Sequence, residues 1–393
     1  MNRKQFLLIA AVVVVVGGLG LFVSRKQSSA WKATSSSLGG SVLGDFPVND
    51  VSQLVIKQGT NELTLAKKDD LWRVKERGDY PANFAEISEF LRQAVDLKFV
   101  QRQNIGASLL PRLELTPPGE GTNSGTLVEL KDKEGKLIRS LLLGKKHLRR
   151  SSSPSPFGDD AGWPDGRYLM VNNDPNQVGL VSNPLTSLEP KPENWLNKDF
   201  FKIEGIKAVA IVTDKDTNWW RVARESLTND FKLIHAKDGE QLDQSKIGGL
   251  GSVLSSPSFN DVMPPPSDLK SIGFDKPRVA TIETFDGFSY KLKLAKKDED
   301  NYYAQLSLTA AFPRERQPGK DEKPEDKEKL DKEFKERLQK LDERLAADKA
   351  YENWIYLVSK WTLDPLLKER SELLVEKKEE PKKGEAAKEG EAK

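Results

Sequence analysis

One succession of short strands and a helix occurs twice in this 393-residue chain, over residues 46–200 and again over 201–375, so any fold it adopts is built from two similar units. In the first copy VSQLVIK (Val51 to Lys57), ELTLAKK (Glu62 to Lys68) and LWRVKE (Leu71 to Glu76) alternate apolar and polar residues. GT and DD turn signals join them, which predicts an antiparallel meander. In ANFAEISEFLRQAVDLKFV, Phe84, Ile87, Phe90, Leu91, Ala94 and Val95 recur at helical spacing, predicting an amphipathic helix with one face for the sheet. The stretch Thr126 to Lys146 reads as a hairpin turning at Lys133-Glu134-Gly135, and RYLMV and QVGLVS add two strands.

The second copy follows the same order. FKIEGIKAVAIVTD (Phe201 to Asp214) answers FPVNDVSQLVIKQ, and WWRVARE answers LWRVKER through Trp72-Arg73-Val74 and Trp220-Arg221-Val222. A weaker, Gly- and Ser-rich helical stretch covers about Asp243 to Leu254. The stretch Val279 to Lys297 matches the first hairpin, with Gly287 where Gly135 sits, and Leu357 to Ser359 repeats the Leu-Val-Ser of Leu180 to Ser182. The expected fold class is α+β: two homologous antiparallel β-sheet units with packed helices, preceded by one transmembrane helix. Trp72 and Trp220 are expected at equivalent strand positions, and Trp195, Trp354 and Trp361 are expected to pack the closing helices on the sheets.

Ahead of the repeats, residues 1–5 form a short flank and Phe6 to Val23 runs for 18 residues without a charge. At 1.5 Å per residue such a helix reaches about 27 Å, close to the bilayer core. Residues 6–23 are therefore expected to anchor the chain in a lipid bilayer, and residues 24–45, rich in Ser and Gly, to be a flexible linker. Arg3 and Lys4 before the run nearly balance Arg25 and Lys26 after it; the free amine tips the count toward an N-terminus inside. The expected location is the cytoplasmic membrane, with the body in the periplasm or outside. A cleaved signal peptide ending near Ser28-Ser29-Ala30 is the competing reading, although the run exceeds the usual signal core.

The second copy differs from the first by an insertion. Its helical part is expected at about 321–349, where Leu330, Phe334, Leu338, Leu341 and Leu345 form a stripe on a strongly charged helix. Such a stripe must pack, either on its own domain or on a partner subunit, which makes these five residues a candidate partner-helix face. Residues 376–393 are low-complexity Lys, Glu, Gly and Ala and are expected to stay a solvated tail.

Lys+Arg at 62 nearly cancels Asp+Glu at 60, so no general field draws in nucleic acid. The chain has no cysteine, which excludes disulfides and thiolate chemistry. His147 and His235 are the only histidines, and no HExxH, GxSxG, Walker-type loop or strand-borne GxGxxG occurs. No catalytic, cofactor-binding or metal-binding residue is assigned on these grounds, and no cofactor is expected. Asp159-Asp160 lack the ligand spacing of a calcium loop and read as a solvated pair. Lys145, Lys146, Arg149 and Arg150 form a basic cluster in a loop, open to two readings: a lipid-facing patch on anionic headgroups, or solvated charge.

Taken together, the opening strand, the Trp-containing strand, the helix, an approximate Leu-x-x-x-Gly-Leu-x-x-Pro element, the Asp-Gly hairpin and the closing Leu-Val-Ser resemble the domain of unknown function 4340 family. Leu269, Gly273, Phe274 and Pro277 approximate the fourth element in the second copy and Asp286-Gly287 the fifth; LPRLELTPP in the first copy lacks the Gly. The resemblance extends over about Phe46 to Leu374 and carries no catalytic residues across. It implies a bacterial protein with one N-terminal membrane helix, associated with ABC-type transport components. The expected function is thus a non-enzymatic accessory or binding subunit, with an ABC permease and ATPase or other envelope proteins as partners. The alternative is an extracytoplasmic small-ligand-binding or hydrolytic domain whose site is assembled from residues distant in sequence.

Overall fold

A computed structural model describes residues 40–376, apart from 104, 122, 150–162, 215–218, 319–321 and 324. It divides into two units at Asn197 and Lys198. The span expected at 6–23 lies outside the described residues, and no helix among them is long and apolar enough to cross a membrane.

In the first unit β1 (Gln53–Gln58), β2 (Asn61–Lys68), β3 (Leu71–Val74) and β4 (Tyr80–Pro81) run as the expected meander. Helix α1 (Phe84–Asp96) follows, then β5 (Phe99–Arg102), β6 (Thr126–Lys131), β7 (Leu137–Arg149), β8 (Trp163–Val171) and β9 (Val178–Val181). All nine strands join one antiparallel sheet in the order β4-β3-β2-β1-β6-β7-β8-β9-β5. Leu54, Ile56, Leu63, Leu65, Val128 and Leu141 alternate onto a buried face. Each such side chain contributes about 2 kcal/mol on leaving water. The Asn83 side chain caps α1 by accepting from the Ala85 N–H at 3.1 Å. Ile87, Phe90 and Ala94 are the face it buries, whereas Phe84 and Val95 are exposed. The apolar face is therefore narrower than the periodicity suggests.

The second unit holds β10 (Ile206–Val212), β11 (Trp220–Ala223), β12 (Lys232–Ile234), the short helix α2 (Gln244–Ile247) and β13 (Asp261–Met263). After these come β14 (Arg278–Thr284), β15 (Phe288–Lys296), β16 (Asn301–Ala310), helix α3 (Lys327–Lys349), β17 (Ile355–Ser359) and helix α4 (Lys360–Leu367). Its eight strands are ordered β12-β11-β10-β14-β15-β16-β17-β13, all antiparallel. Read strand for strand, this is the order of the first sheet without its edge strand β4.

That correspondence corrects one expectation. Trp220 lies on β11, beside β10, where Ile211 pairs with it, while Trp72 lies on β3, one strand further from β1. The two Trp-Arg-Val triplets are thus not equivalent in the sheets. They look alike because any half-buried strand alternates in this way, and the strand in the place of β3 is β12, which has no Trp. The closing aromatic residues also diverge: Trp195 is buried and its indole N–H reaches the Glu189 carbonyl, but Trp361 is exposed at the start of α4.

A second pair of segments matches more closely than the sequence suggests. A turn of 3-10 helix over Ala107–Leu113 ends at Glu114, and another over Leu269–Ile272 ends at Gly273; both end residues are left-handed, with φ of 56° and 88°. The Leu115 N–H returns to the Leu110 carbonyl and the Phe274 N–H to the Leu269 carbonyl, at 3.0 and 3.2 Å. This is one C-terminal capping geometry, made by Gly in one unit and by Glu in the other.

Candidate functional site

An inserted helix, a projecting strand pair and two concavities stand out among the described residues. Among the described residues no group of three or more His, Asp or Glu is placed to hold a metal ion.

The inserted helix α3 is the largest of these features. Its charged faces make i,i+4 pairs, Lys329–Glu333 and Lys332–Glu336, both exposed and each worth a few tenths of a kcal/mol at most. The C-terminal end is fixed differently. The Tyr290 hydroxyl, on β15, donates to Asp348 at 2.7 Å, and Arg344 donates to the same hydroxyl at 3.1 Å and to the Lys202 carbonyl at 2.7 Å. The Arg344 guanidinium also lies over the Phe288 ring. Burial raises the Asp348 carboxyl above its ordinary range, and burial together with Asp348 raises the Tyr290 phenol. Midway along, Arg337 reaches Asp286 of the Asp-Gly turn at 2.8 Å, and Arg314 grips Asp342. Along the helix Leu330, Phe334, Leu338, Leu341 and Leu345 are all partly buried; none is fully covered.

The basic cluster sits in a strand, not in a loop. Lys145, Lys146 and Arg149 lie on the outer end of β7, all exposed; Arg150 and Asp159-Asp160 lie outside the described residues. β6 leaves β7 at Leu143 and β9 leaves β8 at Arg167, so Lys146 to Arg149 pairs only with the start of β8. The result is a two-stranded ribbon running past its neighbours. At its root Arg167 is buried and donates to the Gly144 and Leu185 carbonyls at 2.8 and 3.4 Å, and burial lowers its pKa. Gly144 must remain Gly, since a Cβ there would stand 2.2 Å from the Leu113 carbonyl oxygen. On the ribbon His147 Nδ1 meets Asp165 at 2.6 Å, which gives this histidine a structural partner.

Among the described residues of the second unit, two open concavities stand beside a small apolar void lined by Phe200, Phe201 and Tyr356. One groove of about 800 Å³ is lined by exposed Trp361 together with Val253, Leu254, Asp300 and Asp364. A smaller cleft of about 380 Å³ includes Arg278 and Glu369, an ion pair at 2.5 Å, in its lining. Glu240, whose carboxyl is held down to about 2 by the Arg370 guanidinium and the Lys237 N–H, stands apart from both. So do Tyr290 and Asp348. These strongly perturbed groups tie loops and a helix to the sheet.

Sequence reasoning found the stripe and the basic residues and named Trp361, expecting it to pack where it is exposed, but missed Trp163 and the Tyr290–Asp348–Arg344 triad. The triad had one visible trace, the i,i+4 spacing of Arg344 and Asp348; its third member comes from a strand more than fifty residues away.

Comparison with known proteins adds one match. Residues 156–277 match the family model described as a domain of unknown function (DUF4340). The matched stretch runs through β8 to β13 and the capped turn at Gly273 and ends at Pro277, so Leu269, Gly273, Phe274 and Pro277 lie within it. It supports the resemblance drawn from those residues over a narrower range than Phe46 to Leu374. No curated protein and no solved structure matches the chain.

Proposed function

We propose that this chain is a single-pass, membrane-anchored, extracytoplasmic binding or accessory subunit, without catalysis of its own, of an ABC-type transporter or another envelope complex. The observation that carries it is α3. A helix of 23 residues is pinned at its end by Arg344 and the buried Tyr290–Asp348 pair, while five large apolar side chains along its length are largely but not fully covered. A helix stripe held in place yet incompletely buried suits the groove of a partner. The uncharged run at 6–23, the family match and the separation of perturbed groups from the concavities support the same reading. An anchor of this kind raises the local concentration of the stripe near membrane partners.

The test is a mild-detergent purification of the full-length chain. Co-purification of an ABC permease and ATPase, lost on Leu338→Glu with Leu341→Glu, is the expected result; a lone monomer that turns over a substrate would overturn the proposal.

The groove beside Trp361 favours a second reading, small-ligand binding, because an exposed indole next to two carboxylates suits a cationic or ring-bearing ligand. Saturable quenching of Trp361 fluorescence, absent in Trp361→Phe, would favour it. We also infer that the two units are copies of one ancestor, on their common strand order and capped turn. Alignment of the two halves across relatives checks this: β11 should align with β2, and an alignment of β11 with β3 would contradict it.

A further inference from the structure

The outer ribbon of β7 and β8 combines charge with exposed apolar surface that the described residues of its own unit leave uncovered. Trp163 is 80% exposed and Leu148 49%, the former directly opposite Arg149 and the latter opposite Pro164. Both lie beyond the last residues that a third strand pairs. A two-stranded ribbon is marginal in water by itself, and large apolar side chains at its end contribute nothing to a core. Around them stand Lys145, Lys146 and Arg149, all exposed, against Asp165, whose carboxylate is taken by His147. Glu189 lies near enough to feel Lys146, but its own partner is Lys191.

We infer that the end of this ribbon is a membrane-interface contact, with Trp163 and Leu148 entering the headgroup region and Lys145, Lys146 and Arg149 taking anionic phospholipid headgroups. Each part suits that occupant. An indole has an apolar body and a polar N–H and favours the bilayer interface. Long basic side chains keep their heads among phosphates while their stems cover apolar surface. The inference rests on the proposed anchoring, which would hold the unit near a bilayer, but it makes a separate claim about which part of the unit touches lipid.

The chain has no cysteine, so Leu148→Cys introduces a unique site for an environment-sensitive nitrobenzoxadiazole probe on the full-length protein. The labelled chain is reconstituted into phosphatidylcholine vesicles with or without phosphatidylglycerol. Flotation reports insertion of the anchor; the probe reports the ribbon. Several-fold brighter, blue-shifted emission on the anionic vesicles, quenched by spin-labelled lipid, is expected, with no such change from a probe at Val212→Cys in the second unit. Replacing Lys145, Lys146 and Arg149 by Glu should lower the probe's response to anionic lipid by roughly tenfold or more, and Trp163→Ala should weaken it further. A probe equally dim on both vesicles while the chain still floats would overturn the contact and leave the ribbon to an acidic protein surface. Failure to float would count against the anchor instead.

Discussion

The first unit covers its sheet with a capped helix of 13 residues, α1; the second has at the same point in its strand order only the four residues of α2 and a Gly-rich turn. It carries instead a 23-residue helix inserted between β16 and β17. Strand order is the same and the cover is not. Backbone pairing fixes the sheet through ladders that tolerate many sequences, whereas each helix depends on its own cap, stripe and pins. What differs between the units is therefore where individual character, and the proposed partner surface, should be sought.

The comparison breaks most readily at Trp220. Its side chain is fully buried and its indole N–H reaches the Lys368 carbonyl at 3.0 Å. Trp220→Ala should cost about 4 kcal/mol, read by hydrogen exchange as faster exchange throughout the second unit with the first unit unchanged. Equal loosening of both units would deny that they are separate bodies.

A partly buried ion pair gives the next effect. Arg370 is buried and grips Glu240 at 2.7 Å besides donating to the Trp219 and His235 carbonyls, whereas the side-chain hydrogen bonds of the buried Arg167 of the first unit go to carbonyls. Glu240→Gln should cost the second unit about 1–2 kcal/mol by removing the carboxylate from the guanidinium, which keeps its bonds to the Trp219 and His235 carbonyls. The sign with pH follows from the lowered carboxyl. Its contribution is complete above the ordinary value of 4.5 and is lost as pH falls from there through about 2. Peptides of the second unit should lose exchange protection over that range more steeply in the parent chain than in Glu240→Gln.

The capped turns sharpen the comparison with opposite signs. Gly273→Ala places a Cβ in a left-handed position and should cost about 1 kcal/mol, while Glu114→Gly relieves the same strain and should stabilise the first unit by about 0.5–1 kcal/mol. Thermal denaturation of the two variants decides it. The smallest effect is expected at Asp348. Asn can still accept from Tyr290 and escapes the burial that raises the carboxyl, so Asp348→Asn should change stability by less than about 1 kcal/mol. Asp348→Ala, which strands the Tyr290 hydroxyl, should cost more in the same melt.

Much of the sheet architecture could be read directly from the chain. Alternation marks β1 to β3 and the two long hairpins, and Gly135 and Gly287 both sit at turns with positive φ, 80° and 87°. Legibility failed where one local pattern fits several places. Trp-Arg-Val aligned the wrong pair of strands because alternation carries no information on strand order. Glu114 hid a left-handed cap because Glu is an uncommon residue there. The exposure of Trp361 and Trp163 was invisible because aromatic side chains in strands and closing helices are usually packed. Of the candidate surfaces, the α3 stripe follows from periodicity, but its pins through Tyr290 and Asp286 are tertiary.

The central claim is that the α3 stripe meets a membrane transporter, and the most direct measurement is photo-crosslinking from position 338 of the full-length chain in intact membranes. An adduct with an ABC permease, abolished by Leu341→Glu, is the predicted result. Adducts confined to the chain itself, with the stripe fully protected in the isolated protein, would contradict it.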